Sequence, residues 1–174
     1  MEQKEGKRHR KRGSSSIKAK ETPTINHCAE SNLLPELLRV IELQVAKSFP
    51  ELDGDDPDLR GEVFWVEAAN KVVSVLVINF DSRQPTLWNV CTLETERRKG
   101  YSSLLLQAAQ QWICSTKEAP LGLTLTVLPS NHAAIQMYEN HGFLFVEPDS
   151  AKLAQDELHN TPVIMRWLPE CPGS

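Results

Sequence analysis

The sequence predicts an α/β fold with a mixed, mostly antiparallel sheet of six to seven strands, flanked by helices on both faces. Between residues 24 and 168, β-rich runs alternate with single amphipathic stretches, an order typical of α/β domains. Two of these runs are adjacent across a short turn at Asn70-Lys71, so part of the sheet is expected to be antiparallel. A length of 174 residues fits one such domain with a tail.

The first half of the domain is expected to begin with a short strand at Thr24–Cys28, followed by a helix. Leucines recur at helical spacing after Asn32, which is interpreted as the N-cap, and Pro35 falls in the first turn, where proline is tolerated. Two strands follow at Glu62–Ala69 and Lys71–Phe80. The second is almost continuously apolar and is therefore expected to be a central strand buried on both faces.

The second half is expected to contain two helices and four strands. A strand at Thr86–Leu93 leads into a basic turn, and the stretch Tyr101–Ile113 after this turn has its apolar side chains on one helical face. Asn131 is interpreted as the N-cap of the next helix, which Gly142 is expected to end as the left-handed C′ residue. The other three strands are expected at Leu123–Leu128, Phe143–Val146 and Pro162–Trp167.

Charge is distributed unevenly along the chain. Residues 1–20 carry eight Lys or Arg and two Glu, a balance of +6, which leaves 11 basic against 21 acidic residues, or −10, for residues 21–174. The sequence therefore predicts a disordered basic tail at 1–22, a folded domain at 23–169 and a short tail at 170–174. The cluster Lys7–Arg12 fits a nuclear address, a contact with nucleic acid or an acidic protein through residues 4–20, or solubility alone.

Composition excludes several other classes of protein. No apolar run reaches the roughly 18 to 20 residues that a membrane helix needs, and the amino terminus is polar rather than a signal peptide, so a soluble intracellular protein is expected, cytoplasmic or nuclear. The four cysteines are scattered without a Cys-x-x-Cys pair, and neither a zinc site nor a disulfide framework is predicted.

Two motifs carry the functional prediction. Arg97-Arg98-Lys99-Gly100-Tyr101-Ser102 joins a strand to a helix, where unpaired N–H groups and the helix dipole favour an anion. About thirty residues later comes the stretch 131–143, which begins at Asn131 and ends with Gly142-Phe143. In this order the two resemble the signatures of the GCN5-related N-acetyltransferase (GNAT) family, Gln/Arg-x-x-Gly-x-Gly/Ala and Asn-x-x-Ala-x-x-x-Tyr-x-x-x-Gly-Phe. The matching residues are Arg97, Gly100, Asn131, Ala134, Tyr138, Gly142 and Phe143.

The resemblance implies that acetyl-CoA is the co-substrate, with its pantetheine arm between the strand Trp88–Leu93 and the strand Leu123–Leu128, which are expected to splay apart. Ser102 departs from the family's Gly/Ala, and its hydroxyl could donate a hydrogen bond to the pyrophosphate. The residues expected to contact the cofactor are Val90, Thr92, Arg97, Arg98, Lys99, Gly100, Tyr101, Ser102, Ser103, Asn131, Ala134 and Tyr138.

The resemblance also implies a direct transfer of acetyl to a primary amine, and Tyr138 is expected to protonate the departing thiolate. The acceptor amine must be neutral to attack. At pH 7 this costs a lysine with a pKa of about 10.4 roughly 4.6 kcal/mol, and an α-amine near 7.7 to 8 about 1 kcal/mol. Glu94 is the first candidate for the base, and Glu67, Asp81 and Glu96 are the alternatives.

Two alternatives remain open at the level of the sequence. The acidic loop from Phe49 to Gly61 is either a lip that attracts a cationic amine or a solvated turn. The chain itself is either an enzyme acting on a protein, a polyamine or a small molecule, or a non-catalytic acyl-CoA-binding or interaction module that docks through its basic arm.

Overall fold

The computed structural model describes residues 22–29, 32, 35–48, 61–80, 84–116, 122–147 and 161–169. The predictions for the basic tail up to residue 21, the acidic loop at 49–60, Asp81 and the carboxyl terminus after 169 lie outside these residues. The elements are β1 (Thr24–Ala29), α1 (Pro35–Ser48), β2 (Glu62–Ala68), β3 (Lys71–Asn79), β4 (Thr86–Thr92), a 3₁₀ turn (Glu94–Glu96), α2 (Tyr101–Ser115), β5 (Leu123–Val127), α3 (His132–Asn140), β6 (Leu144–Phe145) and β7 (Val163–Trp167).

The strands form one seven-stranded sheet in the order β1-β2-β3-β4-β5-β7-β6. Five of its neighbouring pairs are antiparallel, and only β4 and β5 run parallel. Helix α2 connects these two strands, as a parallel pair requires a crossover. The predicted mixed, mostly antiparallel α/β sheet is confirmed.

Two hydrophobic clusters lie on opposite faces of this sheet. Leu76 and Ile78 of β3 belong to the larger cluster, which includes the buried faces of α2 and α3. Val75 and Val77 alternate to the other face and pack in the cluster that contains α1. Strand β3 is therefore buried on both faces, as its apolar sequence predicts. Among the described residues, no helix is long and apolar enough to cross a membrane.

Most strand ends differ from the predicted ones by one residue, and two differences have a local physical cause. Helix α1 begins at Pro35, so Asn32 is not its N-cap; proline at the first helical position has a preset φ and lacks an N–H that would be unpaired there. The β2–β3 hairpin turns at Ala69-Asn70, one residue earlier than expected, with both residues at positive φ (49° and 59°). Positive φ at both turn residues gives the twist that a two-residue hairpin needs.

Candidate functional site

The parallel strands β4 and β5 separate almost as soon as they meet. They pair only at Thr86 and Thr124, where the Thr124 N–H also donates to Pro85 O at 3.0 Å. The two hydroxyls of this pair lie 3.2 Å apart. Each strand keeps its antiparallel partner on the other side, β3 for β4 and β7 for β5. A gap therefore opens within the sheet from this pair towards the carboxyl ends of both strands, lined by main-chain groups of β4 and β5.

A β-bulge in β4 lies beside this gap. Trp88 pairs with Val77 and Cys91 with Val75, so three steps along β4 match two along β3. Asn89 takes up the extra residue at φ 52°. Asparagine is one of the few non-glycine residues that tolerate this left-handed region. The bulge reorients the main chain of β4 on the edge that faces β5.

The amino terminus of α2 lies at the open end of the gap, because α2 follows β4. Gly100 is the N-cap, at φ 84°, and among the described residues no side chain caps the helix. The first intrahelical bond runs from Leu104 N–H to Gly100 O at 3.0 Å. The N–H groups of Tyr101, Ser102 and Ser103 come before it and have no acceptor within the helix. In the part of the chain that the structure describes, a Cβ at Gly100 would meet no atom within 4 Å, so the space beside these donors is open there.

Three basic residues surround this helix terminus. Arg97, Arg98 and Lys99 are all exposed, and Arg98 is also at positive φ, 63°. Lys99 Nζ lies 2.6 Å from Glu96 Oε2, and this hydrogen bond raises the pKa of the lysine. The unpaired N–H groups, the dipole of α2 and these cations together make the turn suitable for a phosphate group.

A chain of three hydroxyls joins this turn to the sheet. Ser102 Oγ lies 2.7 Å from Thr92 Oγ1, which lies 2.8 Å from Ser74 Oγ. Ser74 is fully buried in β3 and donates to Cys91 O at 2.9 Å. The first turn of α2 is thus connected to the end of β4 and, through it, to β3.

The second motif forms helix α3 and both of its ends. The Asn131 side chain accepts a hydrogen bond from Ala134 N–H at 3.2 Å, which confirms the predicted N-cap. Gly142 is at φ 79°, its N–H donates to Glu139 O at 2.9 Å, and Phe143 N–H donates to Tyr138 O at 3.0 Å. These two bonds define a Schellman motif, so Gly142 is the C′ residue, as predicted.

The same motif fixes Tyr138. Its ring packs on that of Phe143 at a centroid distance of 5.7 Å, the apolar contact that accompanies a Schellman motif. Tyr138 is 7% exposed and belongs to the cluster against which Val90 of β4 packs. Burial raises the pKa of Tyr138 to about 12. Its hydroxyl therefore stays protonated at neutral pH and can donate a hydrogen bond.

The carboxylate candidates for a base lie in different places. Glu94 is exposed at the start of the 3₁₀ turn that leaves β4. Glu67 is partly buried on β2 and accepts a hydrogen bond from Trp65 Nε1 at 2.9 Å. Glu96 pairs with Lys99. The local geometry singles out none of them as a base.

Chain connectivity brings the two motifs to one edge of the sheet. Helix α2 follows β4 and α3 follows β5, and because these strands are parallel, both helices begin at the same end of the gap. In open α/β sheets, ligands bind beyond the carboxyl ends of neighbouring parallel strands. Two features of the site were not predicted from the sequence. The bulge at Asn89 has a local signal, which is an asparagine within a strand-like run. The hydroxyl of Ser74 has none, because its role depends on a contact with a residue distant in sequence.

Comparison with known proteins agrees with this arrangement. Residues 60–144 match the family model of the acetyltransferase (GNAT) domain. This range begins at β2 and ends in β6, so it contains the gap, the turn and α3. No curated protein matches the sequence. The resemblance to the GNAT family that the two motifs predict is confirmed over this range.

Several solved structures share the fold. An acyl-CoA N-acyltransferase from Pseudomonas aeruginosa aligns with a TM-score of 0.62 at 16% identity, covering 83% of this chain and 99% of that chain. The ribosomal-protein-S18-alanine N-acetyltransferase from Escherichia coli aligns at 0.58 and 17% identity, covering 87% and 97%. A GNAT family acetyltransferase from Elizabethkingia anophelis, solved with acetyl-CoA bound, aligns at 0.59 and 15% identity, covering 86% and 100%. At these identities the similarity establishes the fold alone.

Proposed function

We propose that this chain is an N-acetyltransferase that moves acetyl from acetyl-CoA to a primary amine of a protein, a polyamine or a small molecule. The observation that carries the proposal is the gap between β4 and β5, which closes at the single pair Thr86–Thr124 and opens towards the uncapped start of α2. An extended pantetheine arm fits such a gap because it can pair with main-chain groups of both strands. The GNAT domain and the acetyl-CoA-bound structural neighbour support this donor.

Each part of the donor has a matching set of groups in this proposal. The pyrophosphate accepts hydrogen bonds from the N–H groups at the start of α2, beside the open space at Gly100, and the basic turn adds positive charge. Main-chain groups of Val90 and Thr92 pair with the pantetheine arm, and Asn131 and Ala134 contact it from the start of α3. The remaining proposed cofactor contacts are Arg97, Arg98, Lys99, Tyr101, Ser102, Ser103 and Tyr138.

The chemistry is a direct acyl transfer. The neutral amine attacks the thioester carbonyl carbon, the C–N bond forms, and the tetrahedral intermediate expels the CoA thiolate as the C–S bond breaks. A base, for which Glu94 is proposed, takes the proton released by the amine. Tyr138 remains protonated at neutral pH because its pKa is raised to about 12, and its hydroxyl donates to the sulfur as negative charge develops there.

A charge introduced at Gly100 tests the placement of the pyrophosphate. Both Gly100→Glu and Gly100→Ala replace glycine, which tolerates φ 84°, with a residue that is strained there. Neither Cβ meets an atom of the described residues within 4 Å. Only glutamate adds negative charge beside the phosphates. We expect acetyl-CoA to raise the melting temperature of the unmodified chain and of Gly100→Ala, and not that of Gly100→Glu. Equal binding by the two variants would contradict the placement.

Turnover with a panel of amines tests the reaction itself. Tyr138→Phe should lower turnover by much more than it lowers the affinity for acetyl-CoA, since the hydroxyl acts on the leaving group. If the chain binds acetyl-CoA but acetylates no amine of the panel, the alternative holds, and the chain is a non-catalytic acyl-CoA-binding module. If the unmodified chain and Tyr138→Phe turn over equally fast, the Tyr138 hydroxyl has no role in catalysis, and the side chain serves only in packing.

A further inference from the structure

The three hydroxyls of Ser74, Thr92 and Ser102 form a chain with a fixed direction. Ser74 is 0% exposed, and its single proton is donated to Cys91 O at 2.9 Å. In the 2.8 Å contact with Thr92, Ser74 must therefore accept, and Thr92 must donate. Thr92 then has no proton left for its 2.7 Å contact with Ser102, so Ser102 donates to Thr92. Each hydroxyl carries one proton, which excludes the opposite direction.

This direction decides what the Ser102 side chain offers to a ligand. Its proton is committed to Thr92, and only lone pairs remain. A phosphate oxygen also carries only lone pairs, so the two cannot form a hydrogen bond while the chain of hydroxyls is intact. The expectation that Ser102 donates to the pyrophosphate does not fit this geometry.

We propose that Ser102 is a positioning residue, which fastens the first turn of α2 to the end of β4 and so aims the N–H groups of residues 101–103. This proposal rests on the proposed function, because it names how the phosphate site is held. No side chain of the residues that the structure describes caps α2, and both Arg98 and Gly100 before it are at positive φ, 63° and 84°. The 2.7 Å bond from the second residue of α2 supplies the fastening that a capping side chain would otherwise provide.

The variant Thr92→Val distinguishes a positioning role of Ser102 from direct donation to the phosphate, because the two predict different changes in the affinity for acetyl-CoA. Valine keeps the shape and the main chain of Thr92 and removes the acceptor of the Ser102 proton. Under positioning, acetyl-CoA binds about three- to tenfold more weakly, the loss that one neutral hydrogen bond gives. Under direct donation, the Ser102 proton becomes free for the phosphate, and affinity stays equal or rises. Either of these two results would overturn the proposal.

Two further measurements distinguish positioning from a general loss of structure. Ser102→Ala and the double variant with Thr92→Val should bind acetyl-CoA as weakly as Thr92→Val alone, since all three break the same bond. S-acetylpantetheine lacks the pyrophosphate, so its KM should rise by a smaller factor in these variants than the KM for acetyl-CoA does. The control is Thr116→Val at the other end of α2, which loses a comparable 2.9 Å hydroxyl bond to Ile113 O and should keep its affinity for acetyl-CoA.

The outcomes also separate this proposal from the proposed function. If the unmodified chain binds acetyl-CoA and the variants bind it equally well, the positioning role is refuted and the function stands. Additive losses in the double variant, or an equal rise of KM for S-acetylpantetheine, refute the positioning role as well. If the unmodified chain binds no acetyl-CoA, both proposals fail together.

Discussion

Replacing Tyr138 with phenylalanine should make the fold more resistant to alkaline pH. Burial raises the pKa of Tyr138 from 10.0 to about 12, so the folded state holds the phenol proton more tightly than the unfolded chain does. A group whose folded pKa is raised adds stability that is present below its unfolded pKa and is lost as pH rises towards its folded pKa. The loss should therefore begin near pH 10 and continue to about pH 12.

The size of the effect follows from the two pKa values. By linkage, the free energy of unfolding of the unmodified chain should fall, relative to that of Tyr138→Phe, by about 0.4 kcal/mol at pH 10 and by about 1.4 kcal/mol at pH 11. Urea denaturation of both proteins at pH 8, 9, 10 and 11 measures the difference in free energy of unfolding. If the difference in free energy of unfolding stays constant across this pH series, the Tyr138 hydroxyl is hydrated in the folded state. The proposed mechanism would then lose Tyr138 as a desolvated hydrogen-bond donor.

Two further substitutions test the backbone at the site. Gly142→Ala should lower the free energy of unfolding by about 1 to 2 kcal/mol, because alanine is strained at φ 79°; the added Cβ makes only an ordinary contact with the Trp167 ring, at 3.4 Å. Equal melting temperatures would argue against the left-handed C′ position. At φ 52°, Asn89→Gly should be more stable than Asn89→Val by about 1 to 2 kcal/mol, because only the valine is strained there. Thermal melting measures the difference, and equal melting of the two variants would argue against the bulge.

Local patterns were sufficient to predict most of the elements. The apolar run of β3, the helical spacing after Gly100 and the pair of Asn131 and Gly142 around α3 each act within a few residues, and the structure bears them out. The predicted start of α1 was wrong because the sequence contains two helix-start signals, Asn32 and Pro35. The helix begins at the proline.

The parts of the site that could not be predicted depend on contacts distant in sequence. Ser74 and Ser102 are 28 positions apart and meet through Thr92 only after β3, β4 and α2 have packed together. On the side away from the gap, β5 pairs with β7, which lies more than 30 residues further along the chain. The two motifs, at residues 97–102 and 131–143, were readable because a tight turn and a helix end are local, whereas no local pattern in the sequence indicates an amine acceptor.

The single β4–β5 pair divides the sheet into two antiparallel blocks, one of four strands and one of three. Each block keeps its own ladder of main-chain bonds whatever the separation between them. A change in the distance between the two blocks therefore affects mainly the junction of Thr86 and Thr124, and it leaves the main-chain hydrogen bonds within each block intact. Under the proposed function, substitutions that widen or narrow this junction should alter which acyl chain lengths are transferred, while the cores of the two blocks remain as they are.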